Sequence, residues 1–142
     1  MAQNPPAGFP TITPYLLYED VATALDWLAT AFGFVERLRF AGDDGIVNHA
    51  ELELGDGVVM LGDPGADYQN PKKSGRVTQL INVYVDDVDK HFQRAKEAGA
   101  TIVSELKGQA YGDRSYTADD LEGHRWAFAQ HVRDVPPEEW GG

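Results

Sequence analysis

Histidines and carboxylates are the side chains of this sequence that could carry acid–base or metal chemistry, because the chain contains no cysteine. His49, Glu51 and Glu53 recur at every second position of one predicted strand and therefore share one of its faces. This spacing is compatible with a metal-binding trio or with an acid–base cluster. Because side chains on one face of a single strand point in parallel and do not converge, we favour a row of solvated or interface polar groups.

Three further side chains each have more than one possible role. Arg114 could bind a ligand carboxylate or pair with Asp119 or Asp120 across a hairpin, and we favour the ion pair. His131, near the end of the last predicted strand, could lie at a pocket rim, in a dimer contact or on ordinary surface. Trp140 follows two prolines and belongs to no predicted element, so we expect it either to contact a partner subunit or to move freely.

Charge and composition narrow the classes of partner. The 142 residues include 12 Lys and Arg against 23 Asp and Glu, a formal net charge of -11. Such a field repels nucleic-acid phosphates and anionic lipid head groups and favours cationic small molecules. The sequence has no nucleotide-binding glycine motif, no apolar run of the roughly 20 residues that a membrane span needs, and no signal-peptide pattern. We expect a cytoplasmic protein that binds neither nucleic acid nor membranes.

The elements that must position these residues form a β-α-β-β-β order that occurs twice. In the first helix, Val21, Leu25, Leu28 and Phe32 make an apolar stripe, preceded by the N-cap Asp20. The predicted strands and helices are strand 11–18, helix 19–32 and strands 34–40, 47–54 and 58–61, then strand 77–85, helix 88–98 and strands 101–106, 111–118 and 124–132.

The two halves align residue by residue. The segment 18–21 falls on 85–88 at an offset of 67, and 56–57 falls on 122–123 at an offset of 66. Two copies predict a pseudo-two-fold α+β fold instead of a solenoid. We expect a single domain over 1–142, with module 1 at about 11–62, a linker at 62–75, module 2 at about 76–132 and a C-terminal tail at 133–142.

Paired modules of this kind resemble the vicinal oxygen chelate superfamily, which includes glyoxalase I, extradiol dioxygenases, fosfomycin-inactivating enzymes and bleomycin-resistance proteins. The resemblance covers about residues 11–132 and rests on Phe32-Gly-Phe34, Asn82-Val-Tyr-Val-Asp-Asp-Val88 and Asp120-Leu-Glu-Gly-His-Arg-Trp126. The last segment is similar to the family's "DP-x-G" turn, with Leu121 in place of proline. Tyr111-Gly-Asp-Arg114 and the tail resemble the bacterial bleomycin-resistance branch. The resemblance implies a concave mixed sheet around a cleft.

The resemblance also implies four positions that hold a metal ion in the metal-dependent members. These positions fall on Thr13, Leu61, Leu80 and Ala127. A divalent metal needs convergent imidazole or carboxylate donors, and this set supplies one neutral hydroxyl. We therefore expect no metal and no other cofactor.

Strand alternation predicts the lining of the implied cleft. If Ile81, Val83 and Val85 pack beneath the helix, the residues between them face the cleft, and the repeat places the alternate residues of the first strand there too. On the last strand, Trp126 and Phe128 are predicted to be core. The predicted ligand-binding residues are Tyr15, Leu17, Asn82, Tyr84, Tyr111, Tyr116 and Arg125.

Three functions remain open from the sequence. The leading one is a homodimeric, metal-independent protein that sequesters a drug or metabolite, as the bleomycin-resistance branch does. The alternatives are a superfamily enzyme, a lyase, isomerase or dioxygenase acting on a small oxygenated substrate, and a module retained for interaction alone. A homodimer is expected because two such modules leave sheet edges unpaired, and the 14-residue connection from Gly62 to Gly75 could permit exchange of modules between chains.

Overall fold

A computed structural model of the chain describes residues 2–140. Strands dominate it, and two longer helices and two single-turn helices complete the secondary structure within that range. In chain order the elements are β1 (Tyr15–Leu17), α1 (Val21–Phe32), β2 (Val35–Ala41), β3 (Val47–Leu54), β4 (Gly57–Gly62), α2 (Pro71–Ser74), β5 (Leu80–Tyr84), α3 (Val88–Glu97), β6 (Thr101–Gly108), β7 (Asp113–Asp119), β8 (Arg125–His131) and α4 (Pro137–Trp140).

Each β-α-β-β-β unit forms its own four-stranded mixed sheet. The strand orders are β1-β4-β3-β2 and β5-β8-β7-β6. In both sheets the first strand of the unit pairs in parallel with the last, and the other neighbours are antiparallel. The predicted α+β fold of two repeated modules is confirmed.

The two longer helices begin and end where local chemistry requires. The Asp20 carboxylate accepts a hydrogen bond from the backbone N–H of Thr23, and Asp87 caps α3 through Lys90 in the same way. Gly33 adopts a left-handed φ of 79° and donates its N–H to the Ala29 carbonyl, which ends α1. No helix among residues 2–140 combines the length and the apolar character needed to cross a bilayer.

Some strands are shorter than the sequence patterns predict. The first strand was expected over 11–18 but pairs only from Tyr15 to Leu17, because Pro14 has no N–H to donate to a ladder. The strand expected from Tyr111 begins at Asp113, because Gly112 has a φ of 104° and forms a turn.

Both modules share one hydrophobic core. The stripe of α1 packs on β3 and β4, and the two longer helices contact each other. The Phe32 ring lies between modules, with its centroid 4.6 Å from that of Phe128 and 5.9 Å from that of Trp126. Trp126 and Phe128 are fully buried, as predicted. The helix-facing sides of the two sheets are therefore held together by aromatic packing.

A polar junction also joins the modules, at the turn between β7 and β8. The Tyr18 hydroxyl donates to Asp120 Oδ2 at 2.6 Å, and Trp126 Nε1 donates to the same oxygen at 3.1 Å. The Glu122 carboxylate accepts the backbone N–H groups of residues 19 and 20 at 2.7 and 3.0 Å. Two buried carboxylates of module 2 thus accept hydrogen bonds from the donors that lie between the end of β1 and the start of α1.

The connection between the modules docks on this junction through α2. Asn70 donates from its side-chain nitrogen to Glu122 Oε1 at 3.2 Å, and its side-chain oxygen caps α2 through Lys73. Gly123 has a φ of 93°, and a Cβ there would lie 2.6 Å from the Lys72 nitrogen. The turn therefore needs glycine both for its backbone conformation and for the close approach of α2.

Candidate functional site

Each sheet turns one face towards the helices, and we call the opposite face its open face. Along β1 the exposed fraction alternates, with Tyr15 at 50% and Leu16 at 2%. Along β5 the same alternation leaves Tyr84 60% exposed, while its neighbours Val83 and Val85 are partly buried. The structure places Tyr15, Leu17, Leu80, Asn82 and Tyr84 on the open faces, as strand alternation predicts.

A row of hydrogen-bonded side chains crosses the first open face. Tyr15 Oη and His49 Nδ1 are hydrogen-bonded at 3.0 Å, and His49 Nε2 lies 3.1 Å from Glu51 Oε2. Arg37 Nε is 3.7 Å from the other Glu51 oxygen. The spacing of His49 and Glu51 in β3 gives a shared face, as expected. The expectation that side chains on this face do not converge is wrong for this pair, because the two are hydrogen-bonded to each other. The sequence analysis also did not anticipate that Tyr15 and Arg37 join the row.

Gly62 fixes the position of the Tyr15 ring. A Cβ at this residue would lie 2.5 Å from the ring, closer than van der Waals contact permits. The ring therefore occupies the space that a side chain at position 62 would fill. Because β4 lies between β1 and β3, this packing turns the Tyr15 hydroxyl towards His49.

Two arginines of the second sheet form ion pairs, Arg125 through Asp119 and Arg114 on the helix-facing side of β7. Arg125 binds Asp119 in a bidentate manner, at 2.8 and 3.2 Å, and this pairing raises the pKa of Arg125. Arg114 pairs with Asp89 of α3 at 2.9 Å, not with Asp119 or Asp120 across the hairpin. The preference for an ion pair at Arg114 was right, and the expected partner was wrong.

The second open face ends in a cluster around Asp113, which is 5% exposed. The Tyr84 hydroxyl donates to Asp113 Oδ2 at 2.9 Å, and His131 Nδ1 lies 2.7 Å from Asp113 Oδ1. His131 Nε2 lies 2.7 Å from Asp134 Oδ1, so one imidazole links β7 to the tail. These two carboxylates, Asp134 first, raise the pKa of His131, and Asp113 raises the pKa of Tyr84.

Trp140 lies in α4, so the expectation that it belongs to no element is wrong. Its ring meets the Tyr111 ring edge to face at 5.7 Å, and its Nε1 donates to the Val135 carbonyl at 3.1 Å. The sequence carried a signal for this helix, because Pro137 and two glutamates stand where helices favour proline and acidic residues.

The assignment of Tyr116 to the ligand-binding surface is corrected by its burial. Tyr116 is 1% exposed and pairs with Phe128 on the helix-facing side of β7. Its hydroxyl is hydrogen-bonded to His91 Nδ1, and burial raises its pKa. Tyr116 was expected beside the cleft, but its register partner Phe128 faces the helices, and paired residues of neighbouring strands share one side of a sheet.

The remaining predicted residues do not share a single pocket. Tyr15, Leu17 and Arg125 line a recess of about 330 Å³ between the modules. Tyr84 and Tyr111 line a more open recess of about 580 Å³ beside the tail. Asn82 and Tyr84 border a third recess, where the N-terminal arm crosses β4 and β5.

The positions implied for a metal do not fit a divalent ion. Leu61 is fully buried in the core, and the pairing of Tyr15 with Met60 puts Met60 on the open face instead. Leu80 and Ala127 supply no donor, and a thioether suits hard divalent ions poorly. Within residues 2–140 no group of three or more His, Asp or Glu side chains is arranged to hold a metal ion.

Comparison with known proteins identifies the fold's relatives. Residues 9–128 match the family model of the Glyoxalase/Bleomycin resistance protein/Dioxygenase superfamily. An uncharacterized protein of Mycobacterium bovis is 39% identical over 135 residues, covering 92% of this chain and 89% of the relative.

Solved structures share the fold of this chain. The crystal structure of TioX from Micromonospora sp. ML1 is 40% identical, covers 85% of this chain and 98% of its own, and superposes with a TM-score of 0.71. A glyoxalase/bleomycin resistance protein/dioxygenase from Nocardioides, at 17% identity, shares the fold with a TM-score of 0.66 over 93% of this chain and 90% of its own. The chain belongs to the Glyoxalase/Bleomycin resistance protein/Dioxygenase superfamily.

Proposed function

We propose that the protein is a metal-independent small-molecule binding protein, and that its open faces contact a drug or metabolite. The observation that carries the proposal is the set of aromatic side chains left exposed on or beside these faces, Tyr15, Tyr84, Tyr111 and Trp140. Exposed aromatic surface rimmed by polar groups is typical of ligand sites. The poor fit of the metal positions favours binding over metal-assisted chemistry.

We further propose that two copies associate and enclose the ligand. The open faces and outer strands expose several apolar side chains that a second copy could cover. They are Leu17, Leu38, Phe40, Leu80 and Val103. The outer strands β2 and β6 also present unpaired edges within the described chain, which favours association.

A fluorescence titration tests the binding proposal, with bleomycin as a cationic probe and 8-anilinonaphthalene-1-sulfonate as an anionic one. We expect saturable binding of at least one probe, weakened about thirty-fold by Tyr84→Ala, because loss of an aromatic anchor costs roughly 2 kcal/mol.

Two variants serve as controls for that titration. Lys96→Gln changes a charge on α3, away from the open faces, and Tyr116→Phe alters only the buried tyrosine. Both should bind within about twofold of the parent chain. Absence of saturable binding by either probe would contradict the proposal, and a strong effect at Lys96 with none at Tyr84 would move the site to the other face.

An enzyme of the same superfamily is the second candidate, favoured by the row from Tyr15 through His49 to Glu51. A hydroxyl, an imidazole and a carboxylate in hydrogen-bond contact can relay a proton to or from a bound substrate. Mass spectrometry of small oxygenated compounds incubated with the protein tests this candidate. Turnover that falls at least a hundredfold in His49→Gln would support this candidate. Unchanged turnover in this variant would exclude the row of Tyr15, His49 and Glu51 from the reaction.

A further inference from the structure

The recess beside the tail combines aromatic rings with negative charge. Tyr84 contributes from β5, Tyr111 from the turn before β7, and Trp140 from α4. Asp113 and Asp134 line the same recess. These groups come from three segments of the chain, 84, 111–113 and 134–140, and the folded tail brings the third segment against the other two.

Backbone geometry holds the tail in this position. The N–H groups of Val132 and Arg133 both donate to the Gly112 carbonyl, at 2.9 and 3.2 Å. A Cβ at Gly112 would lie 2.0 Å from the Arg133 oxygen, so the crossing requires glycine. The recess is therefore a built feature of the second module.

The charges of the recess favour a cation. His131 bridges Asp113 and Asp134, so even with a protonated imidazole the three groups carry one net negative charge. Asp134 uses Oδ1 for this bridge, and its Oδ2 has no hydrogen-bond partner among residues 2–140. The faces of Trp and Tyr rings attract cations through their quadrupoles, and the net charge of -11 adds a long-range contribution of the same sign.

We propose that this recess is a subsite for an organic ammonium group, held between the Tyr84, Tyr111 and Trp140 rings and neutralised by Asp134. The inference rests on the proposed binding function and names the chemical class of one part of the ligand. Its location is distinct from the recess between the modules, whose lining includes Arg76 and no carboxylate that could neutralise a cation.

Choline and its neutral isostere 3,3-dimethylbutan-1-ol test the subsite, with binding followed by ligand-observed NMR of the methyl signal. Both compounds present the same methyl surface, and only choline carries a charge. We expect choline to bind at least tenfold more tightly. Equal binding of the two compounds would overturn the proposal, because the recess would then recognise apolar surface alone.

Matched variants separate the subsite from general surface charge. Asp134→Asn and Glu138→Gln each remove one negative charge from the same exposed segment, but only Asp134 lines the recess. We expect Asp134→Asn and Trp140→Ala to weaken choline binding at least fivefold, with Glu138→Gln within twofold. Equal losses in Asp134→Asn and Glu138→Gln would overturn the proposal. Because Asp134→Asn keeps an acceptor for His131, an unchanged Trp140 indole N–H signal will verify that the tail remains docked.

Bleomycin binding distinguishes failure of this subsite from failure of the proposed function. If bleomycin binds the parent chain and Asp134→Asn with the same affinity, and choline does not bind the parent chain, the binding function is retained and the ammonium subsite is absent. A chain that binds choline as expected, and neither bleomycin nor the anionic probe, retains the subsite while the wider binding proposal fails.

Discussion

At the scale of single residues, Glu122 connects the modules by accepting hydrogen bonds. Within the described structure its donors have no other acceptor. Its carboxylate accepts two backbone N–H groups at the start of α1 and the Asn70 side chain. It is buried, so water cannot readily replace these bonds. The side chain therefore acts as a structural acceptor, in contrast to the exposed acids that dominate the net charge.

Glu122→Ala should lower the free energy of unfolding by about 3 kcal/mol, because it leaves three donors without an acceptor. Urea denaturation followed by circular dichroism measures this loss. Glu97→Ala, at the exposed end of α3, is the matched control and should change stability by less than about 0.5 kcal/mol. A similar loss in both variants would mean that Glu122 has no special role at the junction.

Metal ions should not stabilise the protein, because Thr13, Met60, Leu80 and Ala127 offer no imidazole or carboxylate. Titration with Ni²⁺, Zn²⁺, Mn²⁺ or Fe²⁺ should leave Tm unchanged to within about 1 °C. A saturable rise of several degrees would contradict this expectation. Loss of that rise in His49→Ala or His131→Ala would then identify which open face holds the ion.

At the scale of elements, the tail is attached to β7 and β8 through an imidazole. His131 faces Asp113 and Asp134, and Tyr84 reaches the same cluster through Asp113. The carboxylates raise the pKa of His131 above its ordinary value near 6.5. Protonation of His131 therefore stabilises the docked tail.

The pH dependence of tail docking follows from the direction of this pKa shift. The contribution of His131 is fully present below its ordinary pKa and is lost as pH rises through the raised pKa of the folded state. We expect the protection of the Trp140 indole N–H, its exchange rate relative to the intrinsic rate at each pH, to fall as pH increases across this window. In His131→Gln the pH dependence of this protection should disappear, and a protection profile like that of the parent chain would exclude the imidazole as its cause.

The sequence predicted elements better than it predicted contacts between them. The cap at Asp20 and the helix ends predicted near 32 and 98 depend on neighbours within a few residues, so local patterns were enough to predict them. The bond from Tyr18 to Asp120 spans 102 residues and depends on how the modules pack. Tyr116 was misplaced for the same reason, because its side of β7 follows from the register with β8. For the open faces, alternation along β1 and β5 was enough.

At the scale of the whole molecule, the proposed association of two copies makes a direct prediction. Sedimentation velocity at micromolar concentration should give the mass of a homodimer, because the open faces and the edges of β2 and β6 expose apolar surface. Phe40→Glu, on β2, should shift the equilibrium towards monomer. A parent chain that sediments as a monomer under these conditions would contradict the proposal.

The net charge should influence how quickly ligands arrive. With a formal charge of -11, the protein should bind bleomycin more slowly as salt increases, because ions screen the long-range attraction. Stopped-flow fluorescence between low and physiological ionic strength measures this rate. A neutral ligand serves as the control, and an equal salt dependence for both ligands would rule out electrostatic steering.

The shared core has a consequence for the proposed capture of a ligand. Both sheets direct their helix sides inward, so neither open face is covered by the other sheet of the same chain, and Tyr15 and Tyr84 remain exposed. In the proposed dimer, a ligand enclosed between copies would draw chains together, and its half-saturation point would fall as protein becomes more abundant. The amount of bound ligand would then increase more steeply than the amount of protein. If the ligand is toxic, a modest increase in expression could change a cell from sensitive to tolerant.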